Sequence, residues 1–127
     1  MTDKTILVVE DNPMNLELVS DILEAQGYRV IQAAEGRQAL ELARERMPEL
    51  ILMDIQLPEM DGLEVTRLLK NDPATRDLKI VALTAHAMRG DEERVREAGC
   101  SGYIAKPINT RDFVKLIASY LEDRHVD

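Results

Sequence analysis

A chain of 127 residues is one ordinary domain with room for a single core, and its lone cysteine, Cys100, can form no internal disulfide. With 24 acidic against 16 basic residues the formal net charge is −8, which argues against direct nucleic-acid binding, because that binding rests on basic residues neutralising phosphates. Aromatic residues make up only 3% and tryptophan is absent, so no stacking platform for bases is expected; no apolar run reaches membrane-spanning length, and no basic stretch followed by an apolar segment opens the chain. The expectation is a cytoplasmic protein without membrane attachment.

Strand-like and helix-like stretches then alternate five times, with no repeat, linker or low-complexity segment. A first strand is expected over residues 5–10, where Ile6-Leu7-Val8-Val9 runs into Glu10-Asp11. Asn12 and Pro13 suit the start of a helix over 13–26, and Gly27 suits its end. On a helical wheel Met14, Leu16, Leu18, Val19, Ile22, Leu23 and Ala25 cover an arc of about 200°, roughly twice a minimal core-facing stripe. Glu17, Ser20, Asp21 and Glu24 fill the remainder. Two readings of the extra width stay open. It packs on the last helix, or it forms an apolar rim that receives a partner's helix.

The second strand is expected over 29–33 and its helix over 36–46, ended by Pro48. In the third strand, 50–54, Leu50-Ile51-Leu52-Met53 runs without alternation into Asp54, and Pro58 follows four residues on. An apolar run of this kind suits a strand buried on both faces of a parallel sheet. Asp61-Gly62 opens a helix over 62–70 and Asn71-Asp72-Pro73 closes it. A strand over 79–84 ends at Thr84, and a helix over 88–98 follows, with Gly90 costing its first turn roughly 1 kcal/mol relative to alanine. A strand over 102–105 stops at Lys106-Pro107, and the last helix spans 110–122, broadly apolar through Phe113, Val114, Leu116, Ile117, Tyr120 and Leu121. Strict alternation of this kind predicts an α/β fold, a parallel sheet with helices on both faces.

Three carboxylates thus close two buried strands. A carboxylate there is costly unless it is solvated, paired or metal-bound, and the carboxyl ends of parallel strands are where ligands bind. A hard divalent ion, Mg²⁺ or Mn²⁺, is the simplest cation to sit among Glu10, Asp11 and Asp54.

Glu10-Asp11, Asp54, Thr84 and Lys106, each closing an apolar strand in this order, resemble the receiver domain of two-component response regulators. The resemblance runs from about Lys4 to Leu121. The segments 22–28, 50–58 and 88–94 look most like single-domain members concerned with cell division. The family implies a flavodoxin-like (βα)5 fold with strand order 2-1-3-4-5, and one receiver domain over 1–127 without an output domain. It implies that Asp54 is the nucleophile that carries an acyl phosphate, that Asp11 binds the metal directly and Glu10 through water, and that the Gln56 backbone carbonyl completes the ligands. Lys106 would contact one phosphoryl oxygen, and the Thr84 hydroxyl another, with the Ala85 amide beside it. Tyr103, a core residue on sequence grounds alone, matches the aromatic that changes rotamer in receivers. Glu10 stands where an aspartate is common, which leaves its mode of ligation more open.

The function implied is a monomeric phosphoacceptor that takes a phosphoryl group from a histidine kinase or phosphotransferase. It would reshape a face over residues 88–121 toward a downstream kinase or other protein effector. It would catalyse only its own phosphorylation and dephosphorylation. Competing readings are a receiver excised from a longer regulator, an interaction module that works without phosphate, and a flavin-binding flavodoxin-like protein. The last is opposed by acid at Asp11-Asn12-Pro13-Met14, where a cofactor phosphate would sit. Cys100 reads as a small, partly buried residue without a basic neighbour, or as a redox thiol. His86 and His125 read as solvated surface, and Met14, Met53, Met60 and Met88 as packing residues, Met14 and Met60 also as the edge of a partner site.

Overall fold

Five runs become five parallel strands: the first, third and fourth in the chain are buried along nearly their whole length and pair on both edges, while the outer two are partly exposed and pair on one. The computed structural model describes residues 4–57, 60–84, 89–105 and 109–122, the side chains of 89–92 and 122 excepted. The elements alternate as β1 (Thr5–Val9), α1 (Pro13–Ala25), β2 (Arg29–Ala33), α2 (Gly36–Arg46), β3 (Leu50–Asp54), α3 (Gly62–Lys70), β4 (Lys79–Thr84), α4 (Arg89–Ala98), β5 (Gly102–Ala105) and α5 (Thr110–Glu122). The sheet order is β2-β1-β3-β4-β5 and every pairing is parallel. The expected fold and strand order therefore stand. The expected boundaries hold within a residue, except that residue 88 lies outside the described part.

Each face of the sheet has its own core. On one, Leu7, Val9, Ile51, Met53, Ile80 and Ala82 pack under α2, α3 and α4 through Ala39, Ala43, Leu63, Leu69 and Val95. On the other, Ile6, Val8, Leu50, Leu52, Val81 and Leu83 pack under α1 and α5 through Val19, Leu23, Phe113 and Ile117. Fully burying one such leucine, isoleucine or valine is worth about 1.5–3 kcal/mol, so the central strands anchor the domain.

Local chemistry sets the ends of α1. The Asn12 side chain accepts from the Met14 and Asn15 amides at 2.9 and 3.1 Å, with Pro13 in the first turn. At the other end Gly27, at φ 93°, donates to the Glu24 carbonyl while Tyr28 donates to that of Leu23. This is the paired closure that a left-handed residue permits, and Tyr28 and Leu23 share one core cluster behind it. Helix α2 ends differently. Met47 takes the left-handed conformation at φ 44° without being glycine, one residue before Pro48.

The wide apolar arc of α1 divides between its two readings. Leu16 and Ile22 pack on the cluster that includes Phe113, Ile117 and Leu121 of α5. Met14 and Leu18 stay 80% and 51% exposed, so Met14 is not a packing residue. Ser20 departs from the wheel in the opposite direction: it is buried, because its hydroxyl accepts from Gln32 of β2 at 2.9 Å. Met53 is fully buried, and Met60 is partly buried against the α2–α4 core. Among the described residues, no helix is long and apolar enough to cross a membrane.

Cys100 is buried more fully than expected, and it does have a basic neighbour, Lys70. Burial pushes its thiol pKa up, against the opposing pull of the Thr66 hydroxyl and the Lys70 ammonium. Burial in turn lowers the Lys70 pKa, and its Nζ donates to the Arg76 and Leu78 carbonyls at 3.0 and 2.6 Å. A raised pKa and a covered sulfur oppose the redox reading. Alkylation of Cys100 at pH 8 should run at least about a hundredfold slower in the native protein than in denaturant, tracking opening of the core. Equal rates in both states would place the thiol at the surface.

Candidate functional site

The register of the two central strands builds the site. β1 pairs with β3 so that Val9 lies opposite Met53, and the next residues on each, Glu10 and Asp54, emerge side by side. From β1 the chain leaves toward β2, and from β3 toward β4, so the carboxyl ends of these strands flank a point where the winding reverses. The Glu10 amide still donates to the Ala33 carbonyl at 3.0 Å, which extends the ladder one residue past β1 and fixes the backbone there.

Glu10, Asp11 and Asp54 each offer a carboxylate oxygen within 4.8 Å of the others, the metal-competent cluster found among the described residues. Glu10 is 1% exposed and Asp54 4%, whereas Asp11 is open to solvent. The buried pair is braced by backbone donors. Glu10 Oε2 accepts from the Asn12 amide at 3.4 Å, and Asp54 Oδ1 from the Gln56 amide at 2.9 Å. An octahedral Mg²⁺ with oxygens at about 2.1 Å needs ligands roughly 3–4 Å apart, a spacing that a small rotation of exposed Asp11 or a water on Glu10 would meet. The donors are all hard oxygen and include neither histidine nor thiolate, which fits Mg²⁺ or Mn²⁺ and not a zinc site.

Thr84 closes β4 and is 1% exposed. Asp54 pairs with Leu83, so Thr84 lies one residue beyond the carboxylate on the neighbouring strand. Across the next strand Ala82 pairs with Tyr103, and Thr84 with Ala105. Tyr103 packs partly buried against the same core as Ile80 and Ala82, on the α2–α4 face, with the small Ala82 as its register partner. Tyr103 also borders an open cleft of about 470 Å³ with Ile104, Asn109, Phe113 and Leu116.

Glu10, Asp11, Asp54 and Gln56 therefore come together, with Thr84 next to them and Tyr103 one strand further. Lys106, the Ala85 amide, His86, Met88 and His125 lie outside the described residues. Sequence reasoning gives Gly62 only the task of opening α3. In the structure its Cα rests on the backbone of Asp54, a contact whose only sequence signal is the Asp-Gly pair itself.

The family profile described as response regulator receiver domain matches residues 6–118. The chain is 53% identical over 120 residues to the polar-differentiation response regulator DivK of Brucella anthropi, covering 94% of this chain and 98% of that protein. Among solved structures it is similar to the receiver domain of a Pseudomonas aeruginosa sensor histidine kinase, solved with a magnesium ion coordinated in its active-site cleft. The TM-score is 0.88 at 36% identity, covering 95% of this chain and 99% of that one. It is also similar to a CheY-like receiver domain protein from Methanospirillum hungatei, with a TM-score of 0.89, 31% identity and 98% of each chain covered.

Proposed function

Because the chain belongs to the response regulator receiver domain family and so acts in two-component signalling, we propose that Asp54 is its phosphoacceptor, served by Glu10, Asp11, Gln56, Thr84 and Lys106. The observation that carries this reading is the pair of nearly buried carboxylates, Glu10 and Asp54, meeting exposed Asp11 at the carboxyl ends of β1 and β3. Mg²⁺, or Mn²⁺ in its place, would be held by Asp11, Asp54 and the Gln56 carbonyl, with Glu10 through water, and would neutralise charge on the carboxylates and the phosphoryl oxygens.

The chain's own residues do the rest. The Gln56 amide fixes the rotation of the Asp54 carboxylate through Oδ1. An Asp54 oxygen attacks the phosphorus of a donor phosphohistidine; the P–O bond forms as the P–N bond breaks, and the electron pair returns to the imidazole. Water attacking the same phosphorus later releases inorganic phosphate and restores the carboxylate. Lys106 supplies a point charge to the phosphoryl oxygens, and Thr84 a hydroxyl. Met14 and Leu18, exposed just beyond the cap that follows Asp11, with acidic Glu17 and Asp21 around them, suit the docking of the donor's helix. The 53% identity to a polar-differentiation response regulator supports a role in cell-division control, with a kinase or another protein downstream.

Thr84 and Tyr103 make the switch. Drawing the Thr84 hydroxyl toward a phosphoryl oxygen frees space on the α4 side of the sheet, which the Tyr103 ring fills, and α4 begins weakly with Gly90 in its first turn. Beryllofluoride with Mg²⁺ should shift amide resonances over residues 84–105 as well as around Asp54. In Thr84→Ala the mimic should still bind while most distal shifts vanish; equal distal shifts in both proteins would remove Thr84 from the coupling.

Incubation with Mg²⁺ and acetyl phosphate tests the proposal at its root. A retarded band on a phosphate-binding gel that disappears with chelator is expected. No band with or without metal would leave an interaction module as the better reading.

A further inference from the structure

Gly62 starts α3 directly against the main chain of Asp54. A Cβ at this position would lie 2.2 Å from the Asp54 carbonyl oxygen, 2.9 Å from its carbon and 2.8 Å from the Ile55 Cα. These are backbone atoms, with no rotamer to move into. The main chain is also held on both sides of Ile55, through the Asp54–Ile55 peptide before it and the Ile55–Gln56 peptide after it. The Ile55 amide donates to the Leu83 carbonyl of β4 at 3.2 Å, and the Ile55 carbonyl accepts from the Gly62 amide at 3.2 Å. Gly62 is itself held by fully buried Thr66, whose hydroxyl donates to the Gly62 carbonyl at 2.8 Å. A second tight glycine, buried Gly36 at the start of α2, abuts the same segment, for a Cβ there would come 2.8 Å from Val65 Cγ2 and 3.3 Å from Met60.

We propose that Gly62 is a positioning residue for the phosphoacceptor site: seated on the Asp54–Ile55 peptide, it sets the backbone that aims the Gln56 amide and carbonyl. The proposal rests on the reading of Asp54 and Gln56 given above. The Gln56 amide reaches Asp54 Oδ1 only because the chain turns sharply at Ile55, and the abutment of Gly62 limits where that turn can sit. Relieving a 2.2 Å approach to ordinary contact takes a shift of about 1 Å, and a misplacement of that size costs a reacting site about a hundredfold.

The test compares Gly62→Ala with Gly102→Ala. Gly102 opens β5, at the end of the sheet away from the site, and a Cβ there would meet the Tyr120 hydroxyl at 2.0 Å. Both variants should melt at lower temperature than the wild type. Only Gly62→Ala should weaken Mg²⁺ by calorimetry, about tenfold or more, and move the Gln56 amide resonance in metal-free protein. A folded Gly62→Ala protein with the wild-type Mg²⁺ dissociation constant and Gln56 resonance would overturn the proposal, as would equal metal weakening in Gly102→Ala. Should Gly62→Ala not fold, Thr66→Val removes the hydroxyl that steadies Gly62 at nearly constant volume. It should displace the Gln56 resonance and weaken Mg²⁺ about threefold, and an unchanged Gln56 resonance there would overturn the proposal as well. If the wild-type protein bound no Mg²⁺, the reading of the site would fail, and the metal-free Gln56 resonance would still decide the role of Gly62.

Discussion

Asp54→Asn is expected to fold as the wild type does and to take up no phosphoryl group. The amide is nearly the shape of the carboxylate, and its carbonyl oxygen can still accept from the Gln56 amide, the contact that orients residue 54. The substitution also removes one of three charges gathered within 4.8 Å, so thermal stability without metal should hold or rise. An amide oxygen is a poor nucleophile, however, and the loss of uptake should exceed about a thousandfold. Intact mass after incubation with Mg²⁺ and acetyl phosphate measures it directly. Mass addition equal to that of the wild type would place the acceptor elsewhere, Asp11 being the first alternative.

Asp11→Ala should separate stability from metal binding. Asp11 is exposed and Glu10 and Asp54 are buried, so Asp11 is the member of the cluster whose loss disturbs packing least. Without metal, removing it relieves repulsion at the buried pair, and the melting temperature should rise by about 2–4 °C. With metal the order reverses. Loss of a direct carboxylate ligand should weaken Mg²⁺ at least about a hundredfold, so the wild type gains thermal stability on adding Mg²⁺ and the variant gains little. A variant that melts lower than wild type in chelator would contradict the picture of an acidic cluster held together against its own charge.

The sheet is legible in the sequence because its central strands are buried on both faces. Leu50-Ile51-Leu52-Met53 cannot be amphipathic in either period, and its ending in Asp54 marks the site. Strand order is not legible in periodicity and comes with the family resemblance. What pattern misses depends on contacts between distant segments. Ser20 is polar on the helix wheel, and only the Gln32 side chain on β2 makes its burial tolerable. The setting of Cys100 is decided by Lys70 and Thr66, both on α3, some thirty residues away in sequence. Gly62 touches the Asp54 backbone across a loop, and a steric contact with main chain leaves no compositional trace. Met14 departs in the other direction. An apolar residue one position past a helix start need not face the core, and this one faces solvent.

The measurement closest to the central claim traps the product on its own residue. The protein is phosphorylated with acetyl phosphate and Mg²⁺, reduced with borohydride, which converts an aspartyl phosphate to homoserine, and then sequenced by tandem mass spectrometry. Homoserine at position 54 alone, absent when Mg²⁺ is chelated, is the expected result. A reduced residue at any other carboxylate, or the same yield at position 54 without metal, would contradict the assignment of Asp54 as a Mg²⁺-dependent phosphoacceptor.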